Sequence, residues 1–286
     1  MILYNQHFDL PDEYIKQKIS EYLQEDIPAK DFTTLGTIPP QTNVTAYIEA
    51  EGDTVFAGEK IIPHFFDEAG FDVSVLSKDG DKLNKGDIAA KISGNAGVIL
   101  ERERTLLNLL QRLCGIAYQA RIYADKAQGK IKILDTRKTT PGLRLFEKYA
   151  VAVGGGTNHR LNLSDGILIK DNHVKAAGGV SAALNKIKTL ELNLPVELEV
   201  DNFDQIREAL AIGVDGFLLD NMSPEIAKKA VEIIRNDGNG KSIFIECSGG
   251  ITLDSLEGYL NIGIDAVSVG ALTHSVISAP IHMEFE

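Results

Sequence analysis

From residue 131 onward one rhythm repeats six times, and it limits the fold more than any other feature. Short apolar runs occupy residues 131–134 before Asp135, 167–169 before Lys170, 196–200 around Glu199, 217–219 before Asp220, 243–245 before Glu246 and 266–269 before Gly270. Each is followed by a helix-like segment. Continuous apolar strands alternating with helices imply a parallel sheet that is covered on its other side. In such folds the functional groups gather at the C-terminal ends of the strands, and roughly 165 residues are too few for a full eight-unit barrel of about 250. The pattern therefore predicts an incomplete α/β barrel of six or seven parallel strands, with an open doubly wound sheet as the alternative.

The first third reads differently. Ile15, Ile19, Tyr22 and Leu23 fall at helical spacing behind Pro11, so residues 11–25 are predicted helical. Val44, Ala46 and Ile48 alternate as a half-buried strand, residues 60–69 read as a helix, and 71–92 as short strands with turns at Asp79-Gly80 and Lys85-Gly86-Asp87. Residues 101–128 form a long helical pattern with Leu106, Leu110, Leu113, Ala117 and Ala120 on one face. That helix is expected to link an α+β part to the βα repeats.

Charge narrows the partner. The 286 residues are 44% hydrophobic and carry a formal net charge of −12. A field of that sign argues against nucleic acid or an anionic membrane as the partner. Yet residues 101–175 hold 14 Lys+Arg against 7 Asp+Glu. A basic island in an acidic body suits a small, highly charged anion held in a cleft. Cys114 and Cys247 are the only cysteines and lack any zinc spacing, so neither a disulfide framework nor a structural metal is implied, and a reducing cytoplasm fits. No leader-like start and no stretch of about 18 apolar residues is visible.

The strand ends carry the chemistry. Arg137 and Lys138 follow the first run and combine a planar fork with a mobile point charge, a pair suited to gripping a dianion. Gly154-Gly155-Gly156 before Asn158-His159-Arg160 suggests a loop whose backbone approaches a ligand, although one glycine there could simply end a helix. Lys170 is expected near the sheet end, free for ligand or paired with a carboxylate such as Asp171. Glu199 and Asp220 hold equivalent places about one repeat apart and could share Mg²⁺ with phosphate oxygens. Ser248-Gly249-Gly250 and Gly270 are candidate phosphate turns, since backbone N–H groups in glycine-rich loops make anion nests.

Taken together the motifs resemble the quinolinate phosphoribosyltransferase family. The resemblance runs from Glu25-Asp26 and Asp31-Phe-Thr-Thr through Glu103-Arg104-Thr105, Asp135-Thr-Arg-Lys-Thr-Thr-Pro-Gly and Gly154-Gly-Gly-Thr-Asn-His-Arg to Leu219-Asp-Asn-Met-Ser-Pro, Ser248-Gly-Gly-Ile-Thr and Val269-Gly-Ala-Leu-Thr-His. It implies an N-terminal open α/β sandwich over residues 1–112, rejoined by about 275–286, and a barrel over 113–274. It also implies a homodimer in which Arg104 crosses the interface. By the same carry-over Arg104, Arg137, His159, Arg160 and Lys170 bind quinolinate, and Lys138, Glu199, Asp220, Ser248, Gly249, Gly250 and Gly270 bind phosphoribosyl pyrophosphate. Glu199 and Asp220 would hold Mg²⁺, and Lys138, Lys170, Glu199 and Asp220 would be catalytic. Cys114 is a mild departure, standing where the family often has Ser.

Rival readings differ in chemistry. A related pyrophosphorylase could use nicotinate or a molybdenum-transport-associated acceptor. A barrel lyase would use Lys170 as a Schiff-base former. The turns at Gly80-Asp81 and Gly86-Asp87 are similar to those of biotinyl or lipoyl carriers, but no Met-Lys-Met-like acceptor accompanies them.

Overall fold

The computed structural model describes residues 4–286, which form two compact units that the chain enters more than once. The elements begin with α1 (Asp12–Asp26), α2 (Phe32–Thr37), β1 (Asn43–Ala50), β2 (Thr54–Val55), α3 (Ile61–His64), β3 (Asp72–Val75), β4 (Lys82–Leu83), β5 (Ile88–Asn95) and α4 (Ala96–Ala127). They continue with β6 (Lys132–Leu134), α5 (Arg144–Val153), β7 (Ile167–Ile169), α6 (Asp171–Ala177), α7 (Val180–Lys188), β8 (Val196–Val200) and α8 (Phe203–Ile212). The last are β9 (Gly216–Asp220), α9 (Pro224–Arg235), β10 (Phe244–Ser248), α10 (Leu253–Leu256), β11 (Ala266–Ser268), α11 (Ala271–His274) and β12 (Ile281–Phe285).

One unit comprises residues 7–121, 141–155 and 275–286. Its main sheet is antiparallel, ordered β12-β1-β5-β3. The alternation in β1 puts Ala46, Ile48 and Ala50 into the core, where none is more than 1% exposed. The C-terminal β12 returns to pair with β1, Ala50 opposite Ile281. Two helices depart from their expected bounds. The run expected helical over 60–69 is helical only at Ile61–His64. Pro63 removes a donor, and burying both Phe65 and Phe66 (1% and 3% exposed) takes the chain out of the helical path. Helix α4 starts five residues before the expected 101 and continues directly from β5, because Asn95 Oδ1 accepts the Val98 N–H at 3.2 Å and caps the first turn despite Gly97. Positions 112 and 113 lie within this continuous helix, and the packing units part at 121/122.

The other unit, residues 4–6, 122–140 and 156–274, holds the six-stranded parallel sheet ordered β6-β11-β10-β9-β8-β7. All six expected strands form. Read from β7, every strand neighbours the next in sequence, and the last, β11, pairs with the first, β6. That cyclic order is a barrel's. A doubly wound sheet would reverse direction at a switch point, and none is present here. The circle is open between β6 and β7, with Thr157 forming a single parallel bridge to Leu134. Apolar side chains such as Leu198, Phe217, Ile245 and Val267, all fully buried, fill the strands. Helix caps fix where covering helices start: Asn202 accepts from the N–H groups of Asp204 and Gln205, and Ser223, followed by Pro224, accepts from that of Ile226. No helix among the described residues is long and apolar enough to cross a membrane.

Candidate active site

The C-terminal ends of the parallel strands open onto a cavity of about 760 Å³. Side chains two apart on a strand share a face, so each strand contributes a rim residue and one beneath it. Lys170, Glu199, Asp220 and Ser248 form the rim, with Leu168, Leu218 and Glu246 below. The parallel register aligns them, setting Ser248 beside Asp220 and Leu218 beside both Glu199 and Glu246. Every expected site residue lines this cavity except Arg104. Arg104 lies on α4 in the other unit, its side chain 62% exposed and 3.9 Å from Glu103.

Arg137 and Lys138 leave β6 into the cavity wall. The Lys138 N–H donates to Thr136 Oγ1 at 3.0 Å and its carbonyl accepts from Thr273 Oγ1 at 2.8 Å, which ties this loop to α11. Arg137 Nε is buried and has no hydrogen-bond partner among the described residues. Arg160, 5% exposed, donates to the Gly166 carbonyl at 2.8 Å. Burial and the adjacent Arg137 charge both lower the Arg160 pKa. Two guanidinium groups this close, one with an unused donor, constitute a site for an anion.

The acidic side of the cavity is separate. Lys170 Nζ stands 3.9 Å from Glu199 Oε2, a loose pair, while Asp171 instead pairs with Lys175 at 2.8 Å. Burial raises the Glu199 pKa. Asp220 accepts from Ser248 Oγ at 2.8 Å and from Asn221 Nδ2 at 2.7 Å. Gly249 is required where it stands: its φ is +94°, and a Cβ there would overlap the Asn221 side chain. The first glycine of the run at 154–156 serves packing. Gly154 ends α5, and a Cβ there would collide with the Ala117 carbonyl of α4, so this glycine serves close helix packing within its own unit.

A group of buried polar residues lies beneath the rim, and of these only His159 and Arg160 were expected site residues. Asp135, fully buried, accepts from Asn158 Nδ2 at 2.7 Å and from the His159 N–H at 2.8 Å. His159 Nδ1 accepts the Arg160 N–H at 2.7 Å, and its Nε2 faces Glu197 at 3.5 Å and Glu246 at 3.4 Å. Burial and the neighbouring Glu246 push the Glu197 pKa up to about 7. Burial acts to lower the His159 pKa, and the two carboxylates outweigh it. With the Arg160 N–H directed at Nδ1, the proton that faces the two carboxylates is the one on Nε2. Glu197 was legible in principle, since period two puts it on the face of Glu199. No signal pointed to Tyr4, whose ring stacks on His159 at 5.0 Å.

Known proteins share this architecture from end to end. A family model described as the C-terminal domain of quinolinate phosphoribosyl transferase matches residues 116–284, and the corresponding N-terminal domain model matches 31–114. The chain belongs to the quinolinate phosphoribosyl transferase family. A probable nicotinate-nucleotide pyrophosphorylase [carboxylating] of Bacillus subtilis is 41% identical over 276 residues, covering 94% of this chain and 93% of that protein. The nicotinate-nucleotide pyrophosphorylase [carboxylating] of Mycobacterium leprae is 39% identical over 274 residues, covering 94% and 95%. The solved nicotinate-nucleotide pyrophosphorylase of Francisella tularensis superposes with a TM-score of 0.91 at 34% identity, covering 99% of each chain. Membership of this family accords with the mixed α/β class and the TIM-like six-stranded sheet found here.

Proposed function

We propose that this chain is a quinolinate phosphoribosyltransferase of NAD biosynthesis, joining quinolinate to phosphoribosyl pyrophosphate and releasing nicotinate mononucleotide, pyrophosphate and CO₂. The observation that carries the reading is the unused, buried Arg137 Nε beside Arg160 in the basic half of the cavity. A ring bearing two carboxylates would supply the missing acceptors, whereas a monocarboxylate would leave one arginine unanswered.

The residue types suit the chemistry. As the ribosyl centre gains cationic character, Lys138 and Lys170 neutralise the departing pyrophosphate, and Ser248 with the main chain of Gly249, Gly250 and Gly270 holds the 5-phosphate side. Glu199 and Asp220 orient the ribose hydroxyls. The same two carboxylates fit Mg²⁺: they are hard oxygen donors on neighbouring strands, and the contacts of Glu199 are long, 3.9 Å to Lys170 Nζ and 3.4 Å from the Asp171 N–H. When bound, that ion would supply further positive charge to the pyrophosphate oxygens. Holding both substrates in register and excluding water accounts for most of the acceleration, and no protein nucleophile is needed. Once its nitrogen is alkylated, the pyridinium itself stabilises the carbanion left by CO₂, and a proton taken up at that ring carbon completes nicotinate mononucleotide. We further propose a cytoplasmic homodimer in which Arg104 completes the partner's quinolinate site.

The test incubates purified protein with phosphoribosyl pyrophosphate, Mg²⁺ and carboxyl-labelled quinolinate, following nicotinate mononucleotide by chromatography and the label as CO₂. Both should appear in equal amounts, and nicotinate should not replace quinolinate. Turnover of nicotinate alone would sink the acceptor assignment.

A further inference from the structure

Two carboxylates buried without a single hydrogen bond are the least expected feature of the barrel. Glu197 and Glu246 are fully buried, and none of their four oxygens has a hydrogen-bond partner among the described residues. Such burial is unfavourable by several kcal/mol per ion unless a nearby charge or donor compensates. What both face is His159 Nε2, at 3.5 and 3.4 Å. The three groups could be read as metal ligands, since their donor atoms lie within 4.8 Å of one another. The other ring nitrogen argues against it. A metal-bound imidazole donates from its second nitrogen, whereas Nδ1 here accepts from a main-chain N–H.

The imidazole is instead held along its edges and on one face. Its Nε2 edge faces the two glutamates, its Nδ1 edge takes the Arg160 N–H, and its main-chain N–H is fixed by Asp135. One ring face is covered by Tyr4, stacked at 5.0 Å and 22°. Tyr4 is held in turn by its neighbourhood: Gln6 donates to the carbonyls of Tyr4 and Asn158, and the Asn158 N–H donates back to Gln6. The Tyr4 hydroxyl is buried without a partner, so the ring rather than the hydroxyl is what the site uses.

We propose that Tyr4, Glu197 and Glu246 are positioning residues for the pyridine acid. They clamp His159, and the imidazole, through its bond to the Arg160 main chain, sets where the Arg160 guanidinium meets the substrate carboxylate. The inference rests on the quinolinate reading for its substrate, and on geometry alone for the clamp. It gives the N-terminal residues 4–6 a task in substrate recognition, although they are remote in sequence from every motif.

Steady-state kinetics of Tyr4→Leu and Glu246→Gln test the functional half. Each should raise KM for quinolinate about tenfold while KM for phosphoribosyl pyrophosphate stays within about twofold, and Tyr4→Phe should restore the loss seen in Tyr4→Leu. A parallel rise in both KM values, or no rise in either, overturns the proposal, as does Tyr4→Phe behaving like Tyr4→Leu. Should Tyr4→Leu fail to fold, Glu246→Gln decides. Histidine-selective ¹⁵N NMR on the wild-type protein, with His159 assigned through His159→Asn, tests the clamp independently of any substrate. A ring protonated at Nε2 is expected. A neutral ring protonated only at Nδ1, or a His159 signal that moves on adding Zn²⁺, refutes the clamp. A clamped ring in a protein inactive on quinolinate would instead overturn the functional reading and this assignment of substrate with it.

Discussion

Asp135 illustrates how much a single buried side chain organises. It ends the first barrel strand, and its two oxygens hold Asn158 and the His159 main chain 23 and 24 residues downstream. Asp135→Ala would strand a buried amide and a main-chain donor at once. We expect a loss of about 2–4 kcal/mol, read as a lower urea midpoint, together with a higher KM for quinolinate. At this scale the sequence exposed the cations well, because Arg and Lys placed directly after apolar strand runs are unusual. It exposed the buried acids poorly. Glu197 sits inside an apolar run, where a charged residue reads as an outward-facing position, and only its common face with Glu199 identifies its direction.

At the scale of elements, close packing decides more than propensity does. Gly154 brings the end of α5 against the α4 backbone, whereas Gly238 has nothing within 4 Å of where a Cβ would stand and no left-handed φ. Gly154→Ala should destabilise by about 2–3 kcal/mol because backbone must move, while Gly238→Ala should fall within about 0.5 kcal/mol of wild type. Thermal unfolding of the two variants side by side checks the contrast. The six barrel strands were legible because each is a short apolar run between turn signals. The shortness of α3 was not, since the residues that break it, Phe65 and Phe66, are apolar and suit a helix until both must be buried. Nor was the early start of α4, where Gly97 hides the cap supplied by Asn95.

For the whole molecule the proposed dimer makes a distinctive demand. Arg104→Ala and Lys138→Ala should each be inactive yet folded, because Arg104 is exposed and Lys138 lies at the cavity surface. If each site draws Arg104 from its partner, mixing the two variants under conditions of subunit exchange should restore about a quarter of wild-type activity, through mixed dimers with one intact site. Were both residues used within a single chain, a mixed dimer would hold no intact site, and the mixture would stay inactive.

The linear order of residues determined the barrel class, the strands and the identity of most rim groups, because period, turn chemistry and placement after apolar runs are local properties. What only the tertiary structure decided is which groups meet beneath the rim. Tyr4, Asp135, His159, Glu197 and Glu246 come from five separate stretches, and no local pattern encodes their encounter. The closing of the strands into cyclic order sets them around one imidazole, and the exclusion of water there makes each of their contacts matter.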